Sequence, residues 1–237
     1  MSCCPWRFRY PTRNRNTVPG AASPKEGILC QPRQNHVGFF GFGLECAIGI
    51  LAENASSTHT AVTVENSYSA AGIVAGSLVT TVDGTLTVTI KGNQVFPTSP
   101  YGSFGIYLYG VSGTVESNFI SGPRLVDNDE DTGTAILDDG VSQTDLTISG
   151  NTIQVNDDYM LPEGDGGYSG IAVTVDGATV KGNKISGPAY AINMNCHAGT
   201  VSGNTISFAY NGIANAPAGF LGVNTFYNTN YKTAGIC

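Results

Sequence analysis

Charged side chains are scarce in this chain: Asp, Glu, Lys and Arg together make up 12% of its 237 residues. No apolar run reaches the ~18 residues of a membrane-crossing helix, so no membrane span is expected. The six cysteines, Cys3, Cys4, Cys30, Cys46, Cys196 and Cys237, contain no CxxC and no metal-ligand spacing, which argues against zinc. Their even number allows disulfides, and it equally allows free or buried thiols. Phosphate-loop and dinucleotide phrases are absent, no Ser-His-Asp order occurs, and His36, His59 and His197 are scattered. The opening residues 1–15 are basic and have no apolar core, so no secretory signal is recognised there. Removal of a signal, export by another route and retention inside the cell are all compatible with that opening.

The charge that is present is unevenly placed. Net charge is −7, yet six of the eleven basic residues (Arg7, Arg9, Arg13, Arg15, Lys25 and Arg33) fall within residues 1–36 against the single acid Glu26. The remainder holds five basic and seventeen acidic residues, a net of −12. An acidic body repels nucleic acid, so no nucleic-acid partner is expected, and it favours cations and neutral or cationic partners. Residues 1–36 also contain Pro5, Pro11, Pro19, Pro24 and Pro32 and show no period of 2 or 3.6. They read as an irregular basic arm, followed by one repetitive domain over residues 37–237.

What the chain has in quantity is Gly, 31 residues of it, with Thr, Ser, Val, Ile and Asn in Gly-punctuated runs. That is the composition of a turn-rich all-β protein. One phrase recurs: an apolar residue, a variable residue, usually Gly, then Asn, a variable residue and an apolar residue. It runs through Ile90–Val95, Val115–Ile120, Ile148–Ile153, Val180–Ile185, Val201–Ile206 and Leu221–Phe226, with a looser and shorter copy at Val64–Tyr68. From Asn66 the motif asparagines follow at intervals of 27, 25, 33, 32, 21 and 20 residues, so the shortest intervals set the unit and the longer ones carry insertions. A second phrase, Gly or Ala before Ile, runs in parallel at Ile73, Ile106, Ile136, Ile171, Ile192, Ile213 and Ile236.

Two or three short strands in a unit of about 20 residues is the period of a parallel β-solenoid. A single unit has no second layer and cannot bury its apolar face alone. Stacked units pair strand on strand at ~4.8 Å and enclose columns of Val, Ile and Leu. Asn suits the turn because it tolerates left-handed backbone and its amide can bond the same Asn in the next unit. The expectation is a ladder of seven asparagines, Asn66 to Asn224, with a structural and not a catalytic role.

These Val/Ile-x-Gly-Asn-x-Ile repeats resemble those of right-handed parallel β-helix proteins, the pectin-lyase-like superfamily, over about residues 62–237. The resemblance implies a right-handed parallel β-helix (solenoid) of about seven to eight coils. The left-handed hexapeptide solenoid would repeat every ~18 residues, which these intervals do not follow. Polysaccharide lyases, glycoside hydrolases, tailspikes and adhesins all occur in the superfamily, so the motif is specific for fold and not for activity. The Asn-Thr-Asp, His-Gly and Arg-Ile-Lys phrases of polygalacturonases are missing, and only Asp138-Asp139 has a partial counterpart.

Acid is concentrated in the two longest units, where insertions carry Asp127, Asp129, Glu130 and Asp131, then Asp157, Asp158, Glu163 and Asp165. Three readings apply to this patch. Asp127, Asp129, Asp131, Asp157 and Asp158 are suitable oxygen ligands for Ca²⁺; Asp138 and Asp139 can serve as an acid and base pair in glycoside hydrolysis; or the patch is a solvated acidic face. Asp138 occupies the slot that Leu108, Val173 and Met194 fill in other units, which faces inward. Either its strand stops before it, the commoner outcome, or a carboxylate sits at the edge of the core. Tyr107, Tyr109 and Tyr190, with Arg124 beside the acidic insertions, are the candidate sugar-binding residues, since tyrosines offer an apolar face and a hydroxyl.

The functional expectation is an extracellular or cell-surface protein that binds, and as an enzyme would cleave, polysaccharide along its flank. The alternative is a structural or adhesive protein that assembles end to end as a homo-oligomer or filament. Open sheet edges invite such pairing, and Cys237 with Cys3 and Cys4 would permit a covalent link between successive subunits.

Overall fold

The computed structural model describes residues 49–54, 59–69, 72–77, 86–97, 104–121, 133–140, 145–155, 168–217, 219 and 221–237. The basic arm expected over residues 1–36 lies outside them. Residues 1–40 and 41–237 divide as separate units, and all the described residues belong to the second.

The described residues are all-β. In chain order the strands are β1 (Ile50–Asn54), β2 (Thr60–Glu65), β3 (Tyr68–Ser69), β4 (Ile73–Ser77), β5 (Leu86–Lys91), β6 (Gln94–Val95) and β7 (Phe104–Tyr109). There follow β8 (Val111–Glu116), β9 (Phe119–Ser121), β10 (Thr134–Asp139), β11 (Leu146–Ser149), β12 (Thr152–Gln154), β13 (Ser169–Val173) and β14 (Thr179–Lys181). The last seven are β15 (Lys184–Ser186), β16 (Tyr190–Asn193), β17 (Thr200–Ser202), β18 (Thr205–Ser207), β19 (Asn211–Ala216), β20 (Thr225–Tyr227) and β21 (Tyr231–Ile236). Up to β19 three parallel sheets take these strands in strict rotation. Sheet A runs β1-β4-β7-β10-β13-β16-β19-β21, sheet B holds β2 to β17 at every third strand, and sheet C holds β3 to β18 likewise and ends on β20.

Rotation places like residues over like. Ile50, Ile73, Ile106, Ile136, Ile171, Ile192 and Ile213 pair in one column of sheet A. Val64, Ile90, Val115, Ile148, Val180 and Val201 do so in sheet B. In sheet C the column runs Ser69, Val95, Ile120, Ile153, Ile185, Ile206 and Phe226. These columns meet in one buried core, where each aliphatic side chain withdrawn from water stabilises by roughly 2 kcal/mol. Proximity explains the glycine in this slot at Gly105, where a Cβ would lie 2.6 Å from the Ala135 carbonyl and 2.8 Å from Ile120, and at Gly170, where it would lie 2.6 Å from the Ala191 carbonyl; Ala135 and Ala191 carry a Cβ in the same slot. Sheet A departs from the expected phrase at its end, because Thr233, not Ile236, pairs with Ile213.

Between sheets B and C runs the ladder. The Nδ2 groups of Asn93, Asn118, Asn151 and Asn183 each donate to the carbonyl of an apolar residue in the preceding sheet B strand and to Oδ1 of the next ladder Asn, at 2.9–3.0 Å. Their backbone N–H groups donate to the same Oδ1 atoms. Asn204 repeats the pattern to Val180 and Asn224. Each interior amide thus uses both donor hydrogens and both acceptor sites, a set that Asp, Ser or Thr cannot supply. The ladder has six asparagines and not the expected seven. Its first rung is Ser67, whose N–H donates to Asn93 Oδ1; Asn66 stands one residue earlier with φ of 49°, in the left-handed slot that Gly92, Ser117, Gly150, Gly182 and Gly203 fill later. The copy at residue 64 is therefore full length, with Asn used for backbone conformation and Ser for the rung. At the far end Val223 takes that slot without adopting left-handed backbone, as expected of a β-branched residue. There sheet B is reduced to an isolated bridge, Val201 to Leu221, and Val223 is 87% exposed.

Cys196 and Cys237 form a disulfide within the chain. This corrects the expectation that Cys237 is available to link subunits.

Replacing Asn151 by Ala removes a buried amide and strands the Val115 carbonyl and the Asn118 donors. Urea denaturation is expected to show a loss of about 3 kcal/mol, against less than about 1 kcal/mol for Asn224→Ala at the half-exposed end. Equal losses at both positions would contradict a ladder that derives its strength from burial.

Candidate functional site

Strand β10 continues through Asp139, so it does not stop before Asp138 as the commoner alternative had it. Asp138 pairs with Leu108 and Val173 in an inward column and is fully buried. Adjacent residues of a strand point to opposite faces, and Asp139 accordingly stands on the outer face of sheet A. The pleat divides the expected catalytic pair: no single glycosidic bond can lie between two carboxylates on opposite sides of one sheet.

Asp139 is held from three sides. The Gly140 N–H donates to Oδ1 at 2.8 Å and the Thr174 hydroxyl to the same oxygen at 2.7 Å. The Tyr107 hydroxyl donates to Oδ2 at 3.1 Å. Thr174 is fixed by its own N–H, which donates to the Asp138 carbonyl at 2.9 Å, so strands β10 and β13 together set the carboxylate's orientation. Tyr109 pairs with Asp139 in register, and Tyr107 precedes it by two residues on the same face of β7. The Phe104 and Tyr107 rings lie 5.2 Å apart. Two tyrosines and an oriented carboxylate are thereby brought together, half-buried, on one surface. Chemically this arrangement can stack an apolar ring face and accept hydrogen bonds from hydroxyls or ammonium groups.

Burial pushes the Tyr107 phenol well above its ordinary value, with the neighbouring Asp139 charge and their hydrogen bond acting in the same direction. Ionised, the phenolate would face a carboxylate.

Tyr190 does not join this group. It opens β16, paired with Ser169 and Asn211, three sheet steps from β7 and so roughly 14 Å across the strands. Arg124 and the proposed Ca²⁺ ligands Asp127, Asp129, Asp131, Asp157 and Asp158 lie outside the described residues. Among the described residues no group of three or more His, Cys, Asp or Glu side chains could hold a metal ion, and no helix is long and apolar enough to cross a membrane. His197 sits in a turn, 3.2 Å from Asp176, whose carboxyl is held below its usual range first by the Ala198 N–H and then by His197.

Two features escaped sequence reasoning. Thr174 follows the Gly170-Ile171 strand and looks like an ordinary strand-end residue until register places it beside Asp139. On the outer face of sheet C, Tyr68, Phe96 and Phe119 form a run of rings with centroids 5.3 and 5.7 Å apart. The signal for Tyr68 and Phe119 was available, since both occupy the variable position after the ladder residue.

A spectrophotometric titration is expected to show a late-ionising tyrosine that Tyr107→Phe removes. Because its folded pKa is raised, Tyr107 contributes stability below the ordinary tyrosine pKa, and this is lost as pH rises through the folded value. Asp139→Asn should bring the late tyrosine part of the way back while burial keeps it raised. An unchanged titration in that variant would separate the two groups.

No family model, no curated protein and no solved structure matches this chain, so the site is read from its own chemistry.

Proposed function

We propose that residues 37–237 form a right-handed parallel β-helix of about seven to eight coils, of the pectin-lyase-like kind, that binds polysaccharide on the outer face of sheet A. The observation that carries this reading is the Tyr107–Asp139–Thr174 arrangement beside Tyr109, an oriented acceptor next to two ring faces. Binding and not cleavage is the function proposed, because Asp138 and Asp139 face opposite ways. An extracellular or cell-surface setting goes with it, supported by the Cys196–Cys237 disulfide, a bond that persists in oxidising compartments. Ca²⁺ is the ion that the acidic insertions would take.

Isothermal titration against neutral, amino-bearing and uronate polysaccharides, with Ca²⁺ and with a chelator, tests the reading. Tyr107→Ala is expected to weaken the best ligand at least tenfold, about 1.4 kcal/mol, and Asp139→Asn severalfold. Asp138→Leu, which restores the apolar column, should bind as the parent does. Loss of binding in Asp138→Leu with the fold intact, or no polysaccharide retained by the parent, would sink the proposal.

End-to-end association is a second reading, favoured by the exposed Leu221, Val223, Tyr227 and Tyr231 on and beside the outermost strands β20 and β21. With Cys237 bound to Cys196, association through that end is non-covalent. Light scattering is expected to show any large particles persisting after reduction; dissociation by reductant alone would point to a different cysteine.

A further inference from the structure

The outer face of sheet B carries a feature that polysaccharide binding on sheet A does not use. Thr63, Thr89, Thr114, Thr147, Thr179 and Thr200 pair in register, one above another, through all six strands of the sheet. All six are partly or fully exposed, and among the described residues none of their hydroxyls makes a protein hydrogen bond. A second hydroxyl stands two residues away on the same strand in four cases: Thr87 beside Thr89, Ser112 beside Thr114, Ser149 beside Thr147 and Ser202 beside Thr200. Thr87 and Ser112 precede the Thr row and Ser149 and Ser202 follow it, in a column that otherwise holds Glu65, Lys91, Glu116 and Lys181, so the regular repeat is that of the Thr row itself, ~4.8 Å from strand to strand.

The β-propensity of threonine explains its presence in strands but not this confinement. The outward column of sheet A reads Val74, Tyr107, Leu137, Ala172, Asn193, Ala214 and Ala234. In sheet C it reads Tyr68, Gln94, Phe119, Thr152, Lys184, Thr205 and Thr225. Propensity alone would scatter threonine over all three faces. Only on sheet B is the slot Thr in every strand, and a periodic row of that kind matches a ligand that is itself periodic.

We propose that the threonine face of sheet B binds ice. The spacing between rungs is close to the basal repeat of hexagonal ice, so hydroxyls on successive strands can take lattice positions of water oxygens. The methyl groups beside them exclude disordered water. The Thr column itself carries no charge; of the charged residues two positions along on the same face, Glu65, Lys91, Glu116 and Lys181, Lys91 and Glu116 neutralise each other in an ion pair. The rungs are held in position by the adjoining amide ladder, so little ordering entropy is lost on contact.

The test uses the full chain with its disulfide intact. The parent is expected to show thermal hysteresis and to slow ice recrystallisation. In the double variant Thr114→Tyr with Thr147→Tyr, whose new rings project outward and leave the core untouched, at least half of the hysteresis should be lost at unchanged circular dichroism and Tm. Gln154→Tyr, adding the same bulk to the outer face of sheet C, should keep full activity. If the double variant fails to fold, Thr147→Tyr alone and the adsorption of fluorescently tagged parent onto a single ice crystal decide the matter. Absence of hysteresis and of recrystallisation inhibition in the parent overturns the proposal, as does retention of both by folded Thr variants. Adsorption to microcrystalline cellulose that the Thr changes abolish, without activity on ice, would assign the face to a crystalline polysaccharide instead.

Discussion

The described strands are arranged around the demand of a buried primary amide for four hydrogen bonds. An interior ladder Asn meets it only when the next Asn stands directly above and an apolar residue's carbonyl lies one strand below. That condition fixes register between successive strands of sheets B and C, because a slip of one residue would strand the amide and turn the Ile and Val columns outward. Uniform packing in the core follows from the ladder as much as from the apolar residues themselves. Insertions between Asn118 and Asn151 or Asn151 and Asn183 are tolerated because they fall between ladder positions and leave the vertical contacts unchanged.

Since the inward columns are committed to packing, variation is left to the outward ones, and the three faces differ. Sheet A presents tyrosines and a braced carboxylate, sheet B presents a threonine row beside a row of charged and serine side chains, and sheet C presents rings at one end and Lys184 with threonines at the other. A scaffold that holds every outward slot at a fixed height can alter one face without disturbing another. The Lys91–Glu116 ion pair at 2.8 Å, on neighbouring strands of sheet B, is of this outward kind and contributes little to stability.

The recurrence of Asn and Ile was legible because each has a physical reason to repeat, and all-β parallel sheets follow from it. Errors arose where one residue type has two uses. Asn66 reads as a rung because Asn serves both as ladder and as left-handed turn residue, and only the contact from Ser67 to Asn93 separates the roles. Gly235-Ile236 copies the sheet A phrase but stands three residues beyond the slot that Thr233 occupies. Asp138 was correctly placed in an inward column, yet polar character favoured ending the strand; hydrogen bonding along β10 outweighed it. The threonine column went unnoticed because it becomes a pattern only after register is known.

Among the described residues, the Cys196–Cys237 bond lies at the end of the stack beyond the last ladder contact, Asn204 to Asn224. Val223 does not take the left-handed turn, sheet B dwindles to a single bridge there, and among the described strands β21 pairs with β19 alone. An edge strand held by one neighbour frays at little cost. Cys237 follows β21 and Cys196 follows β16, so the disulfide reaches past β19 and ties the outermost strand to one two steps inward. A sequence separation of 41 residues corresponds to about 4 kcal/mol in the chain-entropy account, comparable to what a buried rung supplies. Covalent closure thus secures the edge where amide stacking no longer reaches, and it does so from the surface, without adding a polar group to the core.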